Sequence, residues 1–95
     1  MFVHLVLFQI EKRNLKLYLK DCLLWGKAAK AWKGFIACHA LTRTNHRNHY
    51  ASLYAWKTKK AHDTFMKKNH DVLVSRSNCP VKVIGYYDFV SSQEI

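Results

Sequence analysis

Hydrophobic positions fall into blocks whose spacing changes along the chain. Residues 2–10 form a near-continuous apolar run, interrupted only by His4 and Gln9. Its length predicts a strand buried on both faces rather than a helix. Over residues 14–32 the period changes. Leu15, Tyr18, Cys22, Trp25, Ala29 and Trp32 fall on one side of a helical wheel. Lys12, Arg13, Lys16, Lys20, Lys27 and Lys30 fall on the other. That pattern predicts an amphipathic helix with a packed face and a lysine face. Gly26 weakens its middle by about 1 kcal/mol relative to Ala, which points to a kink or a close contact. Gly34 stops the helix.

Residues 35–43 and 49–57 read as strands joined by a polar turn, a hairpin. Thr58 is placed to cap a second helix. On that helix Ala61, His62, Phe65, Met66, Asn69, His70 and Leu73 keep the 3, 4 spacing of one face. Residues 75–78 are polar, Pro80 bars continuation, and residues 81–90 read as a fourth strand. Residues 91–95 are expected to be a frayed tail.

The order strand, helix, strand, strand, helix, strand is the ferredoxin-like βαββαβ arrangement. We expect an α+β fold: an antiparallel four-stranded sheet with two helices on one face, in a single domain spanning residues 1–90. In the first strand Phe2, Val6, Phe8 and Ile10 alternate with Val3, Leu5 and Leu7, so both faces are apolar. Two helices cover only one. A second copy of the sheet is the simplest cover for the other, so the chain is expected to pair as a dimeric α/β barrel.

Composition sharpens this in two ways. Of 95 residues, 16 are Lys or Arg and 6 are Asp or Glu, a formal charge of +10. Such a surface attracts anions: nucleic acid, anionic lipid or an acidic small molecule. Cys22, Cys38 and Cys79 are odd in number and widely spaced. They argue against a disulfide framework and for a reducing, cytoplasmic setting. The apolar start has no basic flank and is too short to cross a bilayer, so neither a signal peptide nor a membrane partner is expected.

Certain residues carry a resemblance. These are Gly34-Phe35 opening the second strand, Tyr50 to Trp56 leading into Trp56-Lys57-Thr58, and then Ala61, Phe65 and His70. Together they resemble the antibiotic-biosynthesis-monooxygenase-like group of the dimeric α/β-barrel superfamily. The opening MFVHLVLFQI and the FMKKNHDVLV stretch also look like the YdbC-like domain of uncharacterised bacterial proteins. The resemblance implies a homodimer with a ligand between helices and sheet. The activities it implies range from cofactor-free oxidation of polyketide quinones to haem degradation. Haem degraders of the group use an Asn on strand one, which this chain lacks. Phe65 stands where their helix carries Trp. We therefore expect no haem chemistry and no cofactor.

Candidate residues follow. His70 is a candidate general base if it faces an apolar pocket, or else a hydrogen-bonded histidine on a half-buried face. Asp71 beside it is expected to point elsewhere. His4 and His39 either flank one pocket or face the dimer barrel. Tyr54 and Trp56 share a strand face and either stack on a flat ligand or are core aromatics. Phe65 is a candidate substrate contact. His46 and His49 form an HxxH in a turn with no further ligand near in sequence, so no metal site is expected. Gly-rich phosphate loops, nucleophile elbows and paired carboxylates are absent from the sequence. The lysine faces lack interleaved aromatics and an RNA-binding motif, which argues against nucleic acid.

Two functions remain. One is a small-molecule-binding protein, with a cofactor-free monooxygenase-like activity on an aromatic or anionic substrate in a helix–sheet pocket. The other is a non-catalytic basic module for a polyanion, either nucleic acid or an acidic protein.

Overall fold

A computed structural model describes residues 1–93. The elements run β1 (Phe2–Gln9), a 3-10 turn (Lys12–Asn14), α1 (Leu15–Lys30), β2 (Phe35–Thr42), β3 (His49–Trp56), α2 (Lys59–Arg76) and β4 (Lys82–Val90). The sheet order is β2-β3-β1-β4, with every neighbouring pair antiparallel. This is the expected ferredoxin-like arrangement.

Local chemistry explains the boundaries. Thr58 caps α2, its hydroxyl accepting from the Ala61 amide at 3.1 Å. Gly34 takes φ 90°, and a Cβ there would stand 2.7 Å from the Ala61 Cβ. Only glycine lets the α1–β2 turn lie against the first turn of α2. Gly26 packs closely rather than kinking its helix: a Cβ there would come within 3.1 Å of Cys38 Sγ. At the far end the Ser91 amide donates to the Met1 carbonyl at 2.9 Å. The tail is thus tied at its first residue, not frayed there, because the β1–β4 ladder runs one step further. Glu94 and Ile95 lie outside the described residues.

Even-numbered β1 residues face the helices. Phe2, Trp56, Ala29, Phe65 and Leu73 form the buried core between the sheet and both helices. The odd-numbered side of β1 faces away from them. Register places Leu5 between Leu53 and Tyr87, and Val3 between Ala55 and Phe89. Leu7 lies beside Ala51. Tyr87, Phe89 and Leu41 are exposed. The sheet therefore carries an uncovered apolar face opposite its helices, as the alternation in β1 implies.

Candidate functional site

A cavity of about 330 Å³ lies between the sheet and the helices. Trp56 and Phe65 border it from within the packed core. Both are fully buried, with ring centroids 5.2 Å apart, and Phe65 meets Trp32 edge-on at 6.1 Å. Tyr54 stands beside Trp56 on the same strand face. Burial pushes its phenol well above the usual range, so Tyr54 is a neutral wall.

One end of the cavity is a histidine pair. His4 on β1 and His62 on α2 have ring centroids 4.6 Å apart. His4 Nδ1 donates to Asp88 Oδ1 on β4 at 2.6 Å, and Tyr86 stacks over the His4 ring. His62 Nδ1 donates to Asp63 Oδ1 at 3.1 Å. A carboxylate only accepts, so the Nδ1 protons are fixed and neutral rings keep their Nε2 lone pairs. His62 is buried between Phe2, Trp56 and His4. Burial holds it below the ordinary histidine value, against the pull of Asp63. Lys59, at 2.8 Å, is the main cause that keeps Asp63 ionised.

His62 Nε2 has no hydrogen-bond partner, and neither does Trp56 Nε1, although both are buried. Buried polar atoms in that condition mark either a cost in stability or a place for a ligand. Their demands are complementary. Trp56 can only donate, and neutral His62 Nε2 can only accept.

The other end is polar but satisfied. Tyr18 hydroxyl and Ser52 Oγ are 2.8 Å apart, with Cys22 Sγ 3.8 Å from Ser52. Burial raises both the Tyr18 phenol and the Cys22 thiol, so both stay protonated. Tyr18 packs on Phe8, four residues beyond His4. The two polar ends are thus about 13 Å apart along β1. The α2–β4 connection forms the rim. Asp21 accepts from the Asn78 amide at 3.0 Å and the Cys79 amide at 2.8 Å. Trp25 Nε1 donates to Ser77 Oγ at 2.9 Å.

Of the expected site residues, His4, Tyr54, Trp56, Phe65 and His70 line this one cavity. His39 does not. It pairs opposite Leu53 on the edge strand and is exposed beside a separate groove between α1 and β2. His4 and His39 therefore do not flank one pocket. His70 sits at the rim, half-exposed, its ring edge-on to Trp25 at 6.0 Å. Asp71 does not point away from it: His70 Nδ1 donates to Asp71 Oδ1 at 3.1 Å. Both side chains are exposed. His46 and His49 stack at 4.9 Å, and among the described residues no three His, Cys, Asp or Glu side chains converge as metal ligands. His62, Asp88, Tyr18 and Ser52 were not singled out from sequence. Of these His62 and Tyr18 had a signal, their places on the apolar faces of α2 and α1.

This architecture, a ferredoxin-like sheet with two helices on one face, is one that known proteins share. No protein-family model matches the chain, and no curated protein matches its sequence. Solved structures do match. A MhuD variant holding two manganese protoporphyrin IX molecules per active site aligns with TM-score 0.79 at 12% identity, over 100% of this chain and 98% of that one. A Nitrosomonas europaea protein provisionally named an antibiotic biosynthesis monooxygenase aligns with TM-score 0.73 at 12% identity, over 98% and 100%. SnoaB, a cofactor-independent oxygenase from Streptomyces nogalater, aligns with TM-score 0.67 at 11% identity, over 99% and 95%. At such identities the likeness establishes the fold, which is that of the antibiotic-biosynthesis-monooxygenase-like proteins. It does not reach the YdbC-like subfamily.

Proposed function

We propose that this chain binds a flat, conjugated small molecule in the helix–sheet cavity and acts on it as a cofactor-free, monooxygenase-like enzyme. The observation that carries the reading is that Trp56 and His62 border the cavity while Trp56 Nε1 and His62 Nε2 are buried just behind it without hydrogen-bond partners, within reach of a ligand that displaces the packing between. A ligand oxygen accepting from Trp56, next to an acidic O–H or C–H facing His62, satisfies both. The partly exposed aromatics of the lining, Trp25 and Tyr54, stack the ring system. The Tyr18–Ser52 pair meets a polar substituent at the far end. The +10 charge draws an anionic ligand inward.

His62 is the base in this reading, kept neutral by burial and oriented through Nδ1 by Asp63. It removes a proton from an activated ring carbon, and Trp56 stabilises the enolate oxygen that forms. The carbanion gives its electrons to dioxygen, a hydroperoxide forms, and loss of water leaves a ketone. In balance, a ring CH₂ and O₂ become C=O and H₂O. His70, at the rim, contacts the ligand as it enters. β1 carries no Asn and α2 carries Phe65 where the resemblance implies that haem degraders carry Trp, so no step in this reading runs through a porphyrin.

The acting unit in this reading is a single domain over residues 1–90 paired with a second copy. The uncovered face around Leu5, Leu53, Tyr87 and Phe89 supports that pairing. Three free thiols support a reducing, cytoplasmic setting. Among the described residues no helix is long and apolar enough to cross a membrane.

The test is titration with hydroxylated anthrones and their quinones, followed by tryptophan fluorescence and oxygen uptake. Saturable quenching, with uptake abolished in His62→Gln and retained in His70→Ala, is the expected result. Quenching absent for every flat aromatic tried, or uptake indifferent to His62, refutes the reading.

A further inference from the structure

The outer face of α1 is charged in an unusual way. Lys16, Lys20, Lys27 and Lys30 lie along one side of the helix, and all four are exposed. Among the described residues none of them reaches a carboxylate within ion-pair distance. The ion pairs present are made by His4, Arg13, Lys59, His62 and His70. Asp21, the only acid on α1, points the other way and holds the Asn78 and Cys79 amides. At 100° per residue, Leu23 falls inside the lysine sector. It is 75% exposed, and Leu19, one turn earlier, is 44% exposed.

We infer that this face docks on an anionic lipid bilayer, with Leu23 and Leu19 entering the headgroup boundary and the lysines meeting lipid phosphates and carboxylates. The inference stands apart from the proposed enzyme activity. Lysine stems reach along an apolar surface while their ammonium groups stay hydrated, which suits the depth at which Leu23 would lie. A nucleic-acid surface explains the lysines but leaves Leu23 facing water. It also calls for exposed aromatics to stack on bases, and none lies on this face. Beside the leucines runs a mostly apolar groove, lined by Gly26, Cys38 and Ala40 and edged by Lys27 and Lys30. It offers room for acyl chain displaced by the inserted side chains.

The experiment is co-sedimentation of the full chain with vesicles of phosphatidylcholine alone or mixed with phosphatidylserine. Binding to the mixed vesicles only, weakened by salt, is expected. Each lysine neutralised lowers partitioning about fivefold, so Lys20→Gln with Lys27→Gln lowers it about 25-fold. Leu23→Ser lowers it about tenfold while leaving retention on single-stranded DNA unchanged. All three positions are exposed, and an unchanged thermal melt verifies the fold. No binding to mixed vesicles overturns the inference. So does binding that ignores Leu23→Ser, or DNA binding that matches vesicle binding in strength and responds to the lysines alone.

Discussion

Replacing His62 by Phe separates what this residue does for the fold from what it does for a ligand. The ring is buried against Phe2, His4 and Trp56, and a phenyl group fills nearly the same space. An unsatisfied buried polar atom costs roughly 1–3 kcal/mol, and His62→Phe removes that cost at Nε2. The bond to Asp63 is also lost. Asp63 is exposed and keeps Lys59, so that loss is about 0–1 kcal/mol. The net expectation near neutral pH is a gain of about 1 kcal/mol, or about 4–8 °C in Tm for a domain of this size.

The pH dependence adds a second reading. The folded-state pKa of His62 lies below its unfolded value, with burial the leading cause. Above about pH 6.5 both states hold the ring neutral and nothing is lost. As pH falls below that value the unfolded chain takes up the proton first. Stability therefore drops until the folded pKa is passed. The groups facing His62 are His4, Asp63 and Asp88 through His4, and His62→Phe leaves all three in place. The variant should thus lack part of the wild-type loss, and its advantage should widen as pH falls. Circular dichroism melts at about pH 7.5 and about pH 5.5 decide the matter. A variant less stable at the higher pH, with the wild-type slope towards acid, refutes the claim that His62 Nε2 is an unmet cost.

Three further outcomes follow from the geometry. Gly34→Ala should destabilise by about 2–4 kcal/mol, because its Cβ meets Ala61 at a positive φ; a melt within about 1 kcal/mol of wild type contradicts the close approach. Asp21→Ala should cost about 1–3 kcal/mol and speed hydrogen exchange at the Asn78 and Cys79 amides it holds; unchanged exchange there would show the rim is held otherwise. Leu53→Asp, at the centre of the uncovered sheet face, should turn a sedimenting dimer into a monomer with its circular dichroism retained. A wild-type chain that is itself a stable monomer in the micromolar range removes the pairing.

Element order, boundaries and the Thr58 cap were legible in sequence because each depends on neighbours a few residues away. So was the two-faced sheet, since alternation in β1 states it directly. The site was only partly legible. Trp56, Tyr54 and Phe65 stand on faces that local periodicity defines. His4 acquires its partner from Asp88, 84 residues away, through the β1–β4 register. That register shifts between Leu7 and Phe8, and no local pattern fixes such a shift. The Tyr18–Ser52 contact likewise depends on where α1 lies over β3. Of the two places open to His39, pocket or barrel face, the register gives the second: it stands opposite Leu53, and the β2–β3 register shifts between Phe35 and Ala37, where no local pattern sets parity.

In the proposed reading His62 rather than His70 is the central histidine, and the reason is specific. The two are eight residues apart, about 80° on the helical wheel, so both satisfy the spacing of one apolar face. What differs is the neighbour each half of α2 meets. Its first turns follow Trp56 and lie over the ends of β1 and β3, where His62 is enclosed by Phe2, His4 and Trp56. By His70 the same face meets Trp25 of α1, at the cavity rim, and the ring is half open to water. Polar satisfaction then distinguishes the cavity's two ends. Tyr18 and Ser52 already complete each other, so that end can recognise a ligand only by exchanging one hydrogen bond for another. The end holding His62 Nε2 and Trp56 Nε1 has nothing to give up. In the proposed reading a ligand gains most there, because among the described residues the buried side-chain atoms left without partners are that acceptor and that donor.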